Sequence, residues 1–475
     1  MHGNPSSLWK RSGDGHMKKT ALLVALAGIA LGAAARDARP NIVLLISDQH
    51  SGKITTQAGY PYLKTPGMDK LASEGVSFTR SYCTYPVCVA SRASIMTGRM
   101  PNKAHSDLTA FPAIGARMKN AGYETVYFGR WHVSNSEIDE VAAWHGFQTW
   151  KEEKNDTFTT EHAVEYLTGK HKQPFFMVVS YMNPHDCCEL ARNIAGLGDN
   201  YHDGPVEENM DPAQCPPLPA NFGIPPDEAE GFSIRRNPDP ETERRYFRKH
   251  PVKYWGETEW RQYMYGYDRL VEKVDAHILN VVNTLEEQGL LENTLIIYTS
   301  DHGDGHASHQ WNQKKTFYEE SINVPFIVSW KGKTRPDAVD SKTLISSGLD
   351  IYPTLCSAAG IEHPESLQGR DVSLYAFRNP AEPAASRDYV VSEMTQRFRG
   401  KTFTGRMVVN ARYKYILFDS GENREQLFDL QEDPGEMQPV TGKRQYSDQL
   451  EASRQQLRDW IVNTADSFPL DSIPQ

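Results

Sequence analysis

Cys88 and Arg92 lie four residues apart in Tyr85-Pro86-Val87-Cys88-Val89-Ala90-Ser91-Arg92-Ala93-Ser94-Ile95-Met96-Thr97-Gly98-Arg99. If Ala90 to Thr97 is helical, the thiol and the guanidinium share a face, one turn apart. Pro86 rigidifies the approach and Gly98 is a natural left-handed stop. Free backbone N–H groups and the positive helix end then lie near Cys88, a corner that suits an anion. Two apolar runs end in further chemistry-bearing types, Asp48-Gln49 and Asp301-His302. Two carboxylates and an amide oxygen favour a hard divalent cation, Ca²⁺ or Mg²⁺, with His302 the less usual ligand. Each residue also has an ordinary reading: a thiol buried beside a helix, acidic helix caps, a hydrogen-bonded core histidine.

The elements that must position these groups are legible around them. Asn41-Ile42-Val43-Leu44-Leu45-Ile46 and Thr294-Leu295-Ile296-Ile297-Tyr298-Thr299 are continuous apolar runs, the mark of strands buried on both faces. Thr125–Phe128 runs into Gly129-Arg130-Trp131-His132, and Pro174–Ser180 runs into Asn183-Pro184-His185, so polar groups again follow strands. Val324–Trp330 makes one more. Thr65 to Gly75 reads as a helix with Thr65 as N-cap, Pro66 at N1 and Gly75 as the stop. Ile114 to Asn120 reads as another, ending near Gly122. Tyr263, Tyr267, Leu270, Val274, Ile278, Val281 and Leu285 recur at helical steps, so a long amphipathic helix covers the sheet and ends at Gly289. This alternation predicts a doubly wound α/β sheet. After Gly360 the style changes: Tyr389–Val391, Arg406–Val409 and Tyr413–Phe418 read as antiparallel strands, and Ser447 to Val462 as one helix capped by Ser447. The stretch from Cys187 to Pro251, rich in proline, glycine and charge, reads as an insertion walling the substrate pocket.

With 475 residues the chain can bury a large core, and its net charge of −10 argues against a nucleic-acid partner. Met17-Lys18-Lys19-Thr20, an apolar run to Leu31 and Ala33-Ala34-Ala35 read as a secretory signal peptide behind a short leader. That run is too short for stable membrane insertion. The expected division is therefore a leader and signal peptide over 1–35, a catalytic α/β domain over 36–360 and a small α+β domain over 361–475, in an exported protein, periplasmic or extracellular. Six cysteines, at 83, 88, 187, 188, 215 and 356, leave an odd number if Cys88 is converted.

The Cys-x-x-Ser-Arg…Thr-Gly pattern at Cys88 resembles the signature of the sulfatase family. Gly122-Tyr123-Glu124-Thr125 with Gly129-Arg130-Trp131-His132, then Ser300-Asp301-His302-Gly303-Asp304 with His309, Lys314 and Tyr318-Glu319-Glu320-Ser321, and finally Gln426–Leu430 with Asp433-Pro434-Gly435-Glu436, resemble further family segments in the same order. The resemblance implies an alkaline-phosphatase-like fold, a large mixed and mostly parallel sheet flanked by helices. It implies a hydrolase whose Cys88 is oxidised to formylglycine by a formylglycine-generating enzyme or, with Ala90 in place of proline, by an anaerobic maturating enzyme.

Further implications fall on single residues. Ca²⁺, ahead of Mg²⁺, would be held by Asp48, Gln49, Asp301, His302 and residue 88. Arg92 would steady the nucleophile, while His185 and Lys314 would bind sulfate and protonate the leaving alcohol. His132 would take the proton from the remaining hydroxyl and so expel sulfate. Arg130, in place of the usual lysine, and His309 and Asn183 would face the substrate; neighbouring Lys315, His306 and Asp186 are weaker candidates for the same region. The substrate expected is a sulfated saccharide, glycosaminoglycan-derived. Two other readings stand beside this one: a phosphodiesterase or phosphonate monoester hydrolase of the same superfamily, and a catalytically silent glycan-binding protein if Cys88 stays a thiol.

Overall fold

Apolar strands buried on both faces form the centre of the molecule. The computed structural model describes residues 39–104, 108–133, 144–198, 200–206, 213–236, 238–248, 250–377 and 387–474. The expected leader and signal peptide lie outside the described residues. The strands are β1 (Asn41–Asp48), β2 (Gly75–Phe78), β3 (Glu124–Gly129), β4 (Thr149–Lys151), β5 (Phe175–Pro184), β6 (Thr294–Ser300), β7 (Phe326–Ser329) and β8 (Ala338–Asp340). They form one sheet in the order β4-β3-β5-β1-β6-β7-β2-β8. Only β7 runs against its neighbours, β6 and β2.

The alternation of side chains along β1 shows how the sheet is held. Val43 and Leu45 enter one core with Met177, Val179, Ile296 and Tyr298, covered by the long helix. Ile42, Leu44 and Ile46 enter the opposite core with Phe176, Val178, Leu295 and Ile297. Burying an aliphatic side chain from both faces stabilises by about 1.5–3 kcal/mol each, which is why such strands are apolar throughout.

Six helices position or cover the polar edge of this sheet and its C-terminal neighbour: α1 (Pro66–Ser73), α2 (Cys88–Thr97), α3 (Asp156–Leu167), α4 (Cys187–Ile194), α5 (Glu257–Glu287) and α6 (Ser447–Thr464). The C-terminal half of α5 packs Val274, Ile278, Val281 and Leu285 on the sheet, while its first half carries tyrosines to the strand ends. Ala93, Ile95 and Met96 of α2 enter the second core. Gly98 closes α2 in the left-handed region, φ 65°, as its position after Thr97 predicts.

The C-terminal sheet is antiparallel, in the order β9 (Tyr389–Phe398), β10 (Lys401–Asn410), β11 (Tyr413–Phe418), β12 (Glu425–Asp429). One face buries Met394, Phe403, Met407 and Phe418 against Phe317 and Tyr318. The other buries Val408, Tyr415 and Leu417 against Leu457 and Ile461 of α6.

Local expectations differ from the structure in three places. Gly75 does not stop α1, whose C-cap is Glu74; it opens β2, where a Cβ would stand 2.4 Å from Val328 O, so the close approach of β7 demands glycine. Ser447 is the first residue of α6 rather than its cap, and its hydroxyl turns back to Arg444 O. The segment Glu425–Asp429, noted for its motif alone, is a strand.

Candidate active site

Parallel register brings the distant polar groups to one edge. Ser47 lies opposite Ser300, so Asp48 and Asp301 emerge side by side. Asp48 is also opposite Pro184, which places His185 beside it. Gly129 pairs with Ser180 and delivers Arg130 and His132 next to that pair. Its φ is 99°, and a Cβ there would lie 2.0 Å from Ser180 O, so only glycine allows this turn. Cys88 is the first residue of α2, entered from an extended Val87, and points into the same space.

The Cys88 thiol is the meeting point. Lys314 Nζ and His302 Nε2 each lie 3.1 Å from Sγ, Asp48 Oδ1 lies 3.6 Å away and Arg130 Nη2 3.9 Å away. Arg130 Nη2 donates to His132 Nδ1 at 2.8 Å, which ties the imidazole to the group beside the thiol. Arg92 ties the carboxylates together: Nε donates to Asp301 Oδ2 (2.7 Å), Nη2 to Asp48 Oδ2 (3.2 Å), and Nη1 to Ser180 Oγ (2.7 Å) and Arg130 O (2.9 Å). Arg130 Nε is 3.2 Å from Asp48 Oδ2. His302 Nδ1 is 2.9 Å from Gly303 O, a group that only accepts, so Nδ1 carries hydrogen and Nε2 is the nitrogen turned to the thiol.

Electrostatics follow from this packing. Burial and the Asp48 charge oppose ionisation of Cys88, but Lys314, His302 and His132 outweigh them and hold the thiol well below its ordinary value. Burial would raise Asp48, yet the Arg130, Arg92 and Lys314 cations keep it well below the usual carboxylate range. Burial and repulsion from Asp48 push Asp301 up to about 6. Burial, Lys314 and Arg130 drive His185 well down, so its imidazole is neutral at pH 7.

Among the described residues, Asp48, Cys88, Asp301 and His302 each offer one ligand atom, all within 4.8 Å of one another. Gln49 stands beside them in the left-handed region, φ 76°, held by Tyr267, whose hydroxyl donates to Gln49 O at 2.7 Å. Its Oε1 accepts from Lys314 at 2.9 Å and its Nε2 donates to Asp304 Oδ2 at 2.7 Å.

The other sequence-predicted residues separate. Of the two adjacent lysines, Lys314 reaches Cys88, while Lys315 lines a neighbouring cavity. His309 is buried, stacked on Tyr318 at 3.7 Å, and no contact joins it to Cys88 among the described residues. His306 lies 3.1 Å from Asp268. Asp186 gives both oxygens to the segment after α4, accepting from His202 N and lying 2.6 Å from His202 Nδ1, so its role is a tie within the insertion. Asn183 is fully buried, and among the described residues neither amide atom has a hydrogen-bond partner. Sequence reasoning passed over Ser180, Asp304, Tyr263 and Tyr267. Tyr263 donates to Asp304 (2.9 Å), which steadies Gln49. Both tyrosines sit on the apolar stripe of α5, where periodicity shows a ring but not the use of its hydroxyl.

The loop carrying Lys314 is anchored from the C-terminal sheet. Fully buried Lys414 donates to Phe317 O (2.9 Å) and lies 2.8 Å from both Glu319 and Glu436, while Glu319 N donates to Glu436 Oε2 (2.7 Å). Burial pushes both carboxyls up, but Lys414 and Lys53 pull Glu319 down to about 2; Glu436, facing Glu319, stays raised to about 7. Lys414→Met leaves these carboxyls without their shared cation and is expected to cost about 3–5 kcal/mol. Thermal melts test this, and a shift below about 2 °C would dismiss the ammonium as the anchor.

The sequence matches the family described as Sulfatase over residues 40–361 and the one described as N-sulphoglucosamine sulphohydrolase, C-terminal, over residues 307–463. It is 30% identical over 463 residues to a Delta 4,5-hexuronate-2-O-sulfatase of Bacteroides thetaiotaomicron, with 93% of each chain covered. It is 25% identical over 518 residues to an N-acetylglucosamine-6-O-sulfatase of the same organism, covering 94% of this chain and 92% of that one. Among solved structures, a 2-O GAG sulfatase superposes with a TM-score of 0.77 at 27% identity, over 90% of this chain and 93% of that one.

Proposed function

This chain belongs to the sulfatase family of the alkaline-phosphatase-like superfamily and is a sulfuric ester hydrolase; on that premise we propose that it cleaves a sulfate ester of a sulfated carbohydrate, glycosaminoglycan-derived, through a formylglycine made from Cys88. The observation that carries this reading is the convergence of Lys314, His302, Arg130 and His132 on one buried side chain at position 88. The names of the relatives, sulfatases acting on a hexuronate 2-O-sulfate and an N-acetylglucosamine 6-O-sulfate, support the substrate class. Export belongs to the same reading and is supported by the Met17–Ala35 pattern.

The donor set suits a divalent cation: two carboxylates, an imidazole and residue 88 within 4.8 Å, with the Gln49 amide adjacent. Hard oxygen donors suit Ca²⁺ and Mg²⁺ alike, and the family resemblance favours Ca²⁺. Formylglycine hydrate supplies a hydroxyl nucleophile for sulfur, and the cation draws charge from the ester oxygens. Arg92 fixes Asp48 and Asp301 on one side of residue 88, while Lys314 and Arg130 present cationic donors to the incoming sulfate. His185 is neutral before substrate arrives; the charge of a bound sulfate favours its protonated form, which then donates to the departing alcohol. His132, oriented by Arg130, handles the proton on the residue 88 side chain.

The test is a panel of defined sulfated mono- and disaccharides with matured protein, whose Cys88 peptide is expected to be lighter by about 18 Da. Loss of one sulfate is the expected result, with EDTA lowering turnover at least about tenfold and Ca²⁺ restoring it. Matured protein that releases sulfate from aryl esters alone would sink the carbohydrate reading, and full activity with an unconverted thiol would sink the formylglycine.

A further inference from the structure

A cavity of about 810 Å³ opens beside the N-terminus of α2, between Val87 and Val89 on one wall and the C-terminal sheet on the other. Lys315, next to the lysine that touches Cys88, lines it, so the cavity adjoins the catalytic position. Its far wall holds an unbalanced charge. Arg235 is only 5% exposed, yet no carboxylate pairs with it among the described residues. Nη1 donates to the neutral Gln396 Oε1 at 3.2 Å, the guanidinium stands 5.7 and 5.8 Å from the Tyr246 and Phe398 ring centres, and Nε is buried with no hydrogen-bond partner among the described residues. Burial lowers its pKa, with the Tyr246 hydroxyl offsetting this only in part. A buried cation without a counter-ion costs several kcal/mol, and a buried donor without an acceptor is rare in native structures.

Arg397, also on this wall, is exposed, and its side chain makes no ion pair or hydrogen bond among the described residues. The remaining charges on the wall are satisfied. Arg406 lies 3.0 Å from Glu393 and 2.5 Å from Asp466, and Asp419 accepts from Thr404 N at 3.0 Å.

We infer that Arg235 and Arg397 form a subsite for a second anionic group of the substrate, a carboxylate or a further sulfate on the sugar carrying the scissile ester or on its neighbour. The inference rests on the carbohydrate reading above. A guanidinium is the fitting partner, because its fork meets either oxyanion with two parallel hydrogen bonds. Ligand binding then supplies what the fold withholds, a counter-charge for the buried cation.

The experiment compares matured, Ca²⁺-loaded wild type with Arg235→Gln and Arg397→Gln on three substrates: a singly charged aryl sulfate, a disaccharide with one sulfate and one uronate carboxylate, and its carboxyl-reduced counterpart bearing a second sulfate. The expected result is a fall of about tenfold or more in kcat/KM for a doubly charged saccharide relative to the aryl sulfate, carried by KM. The saccharide that suffers the fall identifies the second anion as carboxylate or sulfate. Arg397→Gln touches no packed side chain and decides the matter if Arg235→Gln does not fold. A ratio that moves less than about threefold for both saccharides overturns the subsite while leaving the carbohydrate reading intact. Wild type that ignores both saccharides overturns that reading, and the subsite with it.

Discussion

Cys88→Ala is expected to lower kcat by roughly 10⁴-fold or more while KM changes by less than about tenfold. The asymmetry follows from the geometry. Lys314, Arg130 and His302 surround position 88 but are anchored elsewhere, by Gln49, Asp48 and Gly303. Sulfate binding therefore survives loss of the side chain, and bond making does not. Alanine is no larger than cysteine and position 88 is almost wholly buried, so the fold accommodates the change with a loss of about 1 kcal/mol. Single-turnover kinetics with sulfate-release detection measure the effect. Retention of more than about 1% of wild-type kcat would remove residue 88 from the chemistry.

Arg92→Met is expected to be the most destabilising single change at the site, by about 3–5 kcal/mol. One guanidinium bridges two buried carboxylates and also bonds Ser180 Oγ and Arg130 O, so its loss takes the arginine partner from Asp301 and leaves Asp48 to Arg130. The sign with pH is definite. Burial and Asp48 already raise Asp301 to about 6, above its unfolded value, so its ionisation works against the fold as pH rises from about 4 through 6. Without Arg92 that pKa climbs further, so the Tm deficit of the variant grows from about pH 5 to about pH 8. A deficit equal at both values would mean that packing, rather than charge, is what Arg92 provides. Arg92→Lys retains the charge but lacks the fork needed for four partners, and is expected to fall between the two.

The sheet was legible because its strands are buried on both faces. Uninterrupted apolar runs ending in Asp48, His132, His185 and Asp301 announce both a parallel core and the edge where its polar groups gather. Register between runs hundreds of residues apart is not written locally, so the meeting of Asp48 with Asp301 was a conditional expectation until β1 was seen paired with β6. Hydroxyl and carbonyl partners were harder to foresee. Tyr263 and Tyr267 occupy helical core positions like those of Val274 and Ile278, and only the tertiary arrangement shows their hydroxyls bracing Asp304 and Gln49. His309 shows another contact that the sequence does not announce. A loop histidine near Lys314 looks available to substrate, but its ring is spent on Tyr318.

The lysine beside Cys88 is set in place by residues about a hundred positions downstream, Lys414 and Glu436. During synthesis this clamp is among the last parts of the chain to emerge, well after the first strands can pair. A second protein that modifies Cys88 needs an extended segment it can grasp, and in the folded chain Cys88 is buried as the first residue of α2. If Cys88 is converted by such a protein, the conversion is expected to precede docking of the downstream sheet.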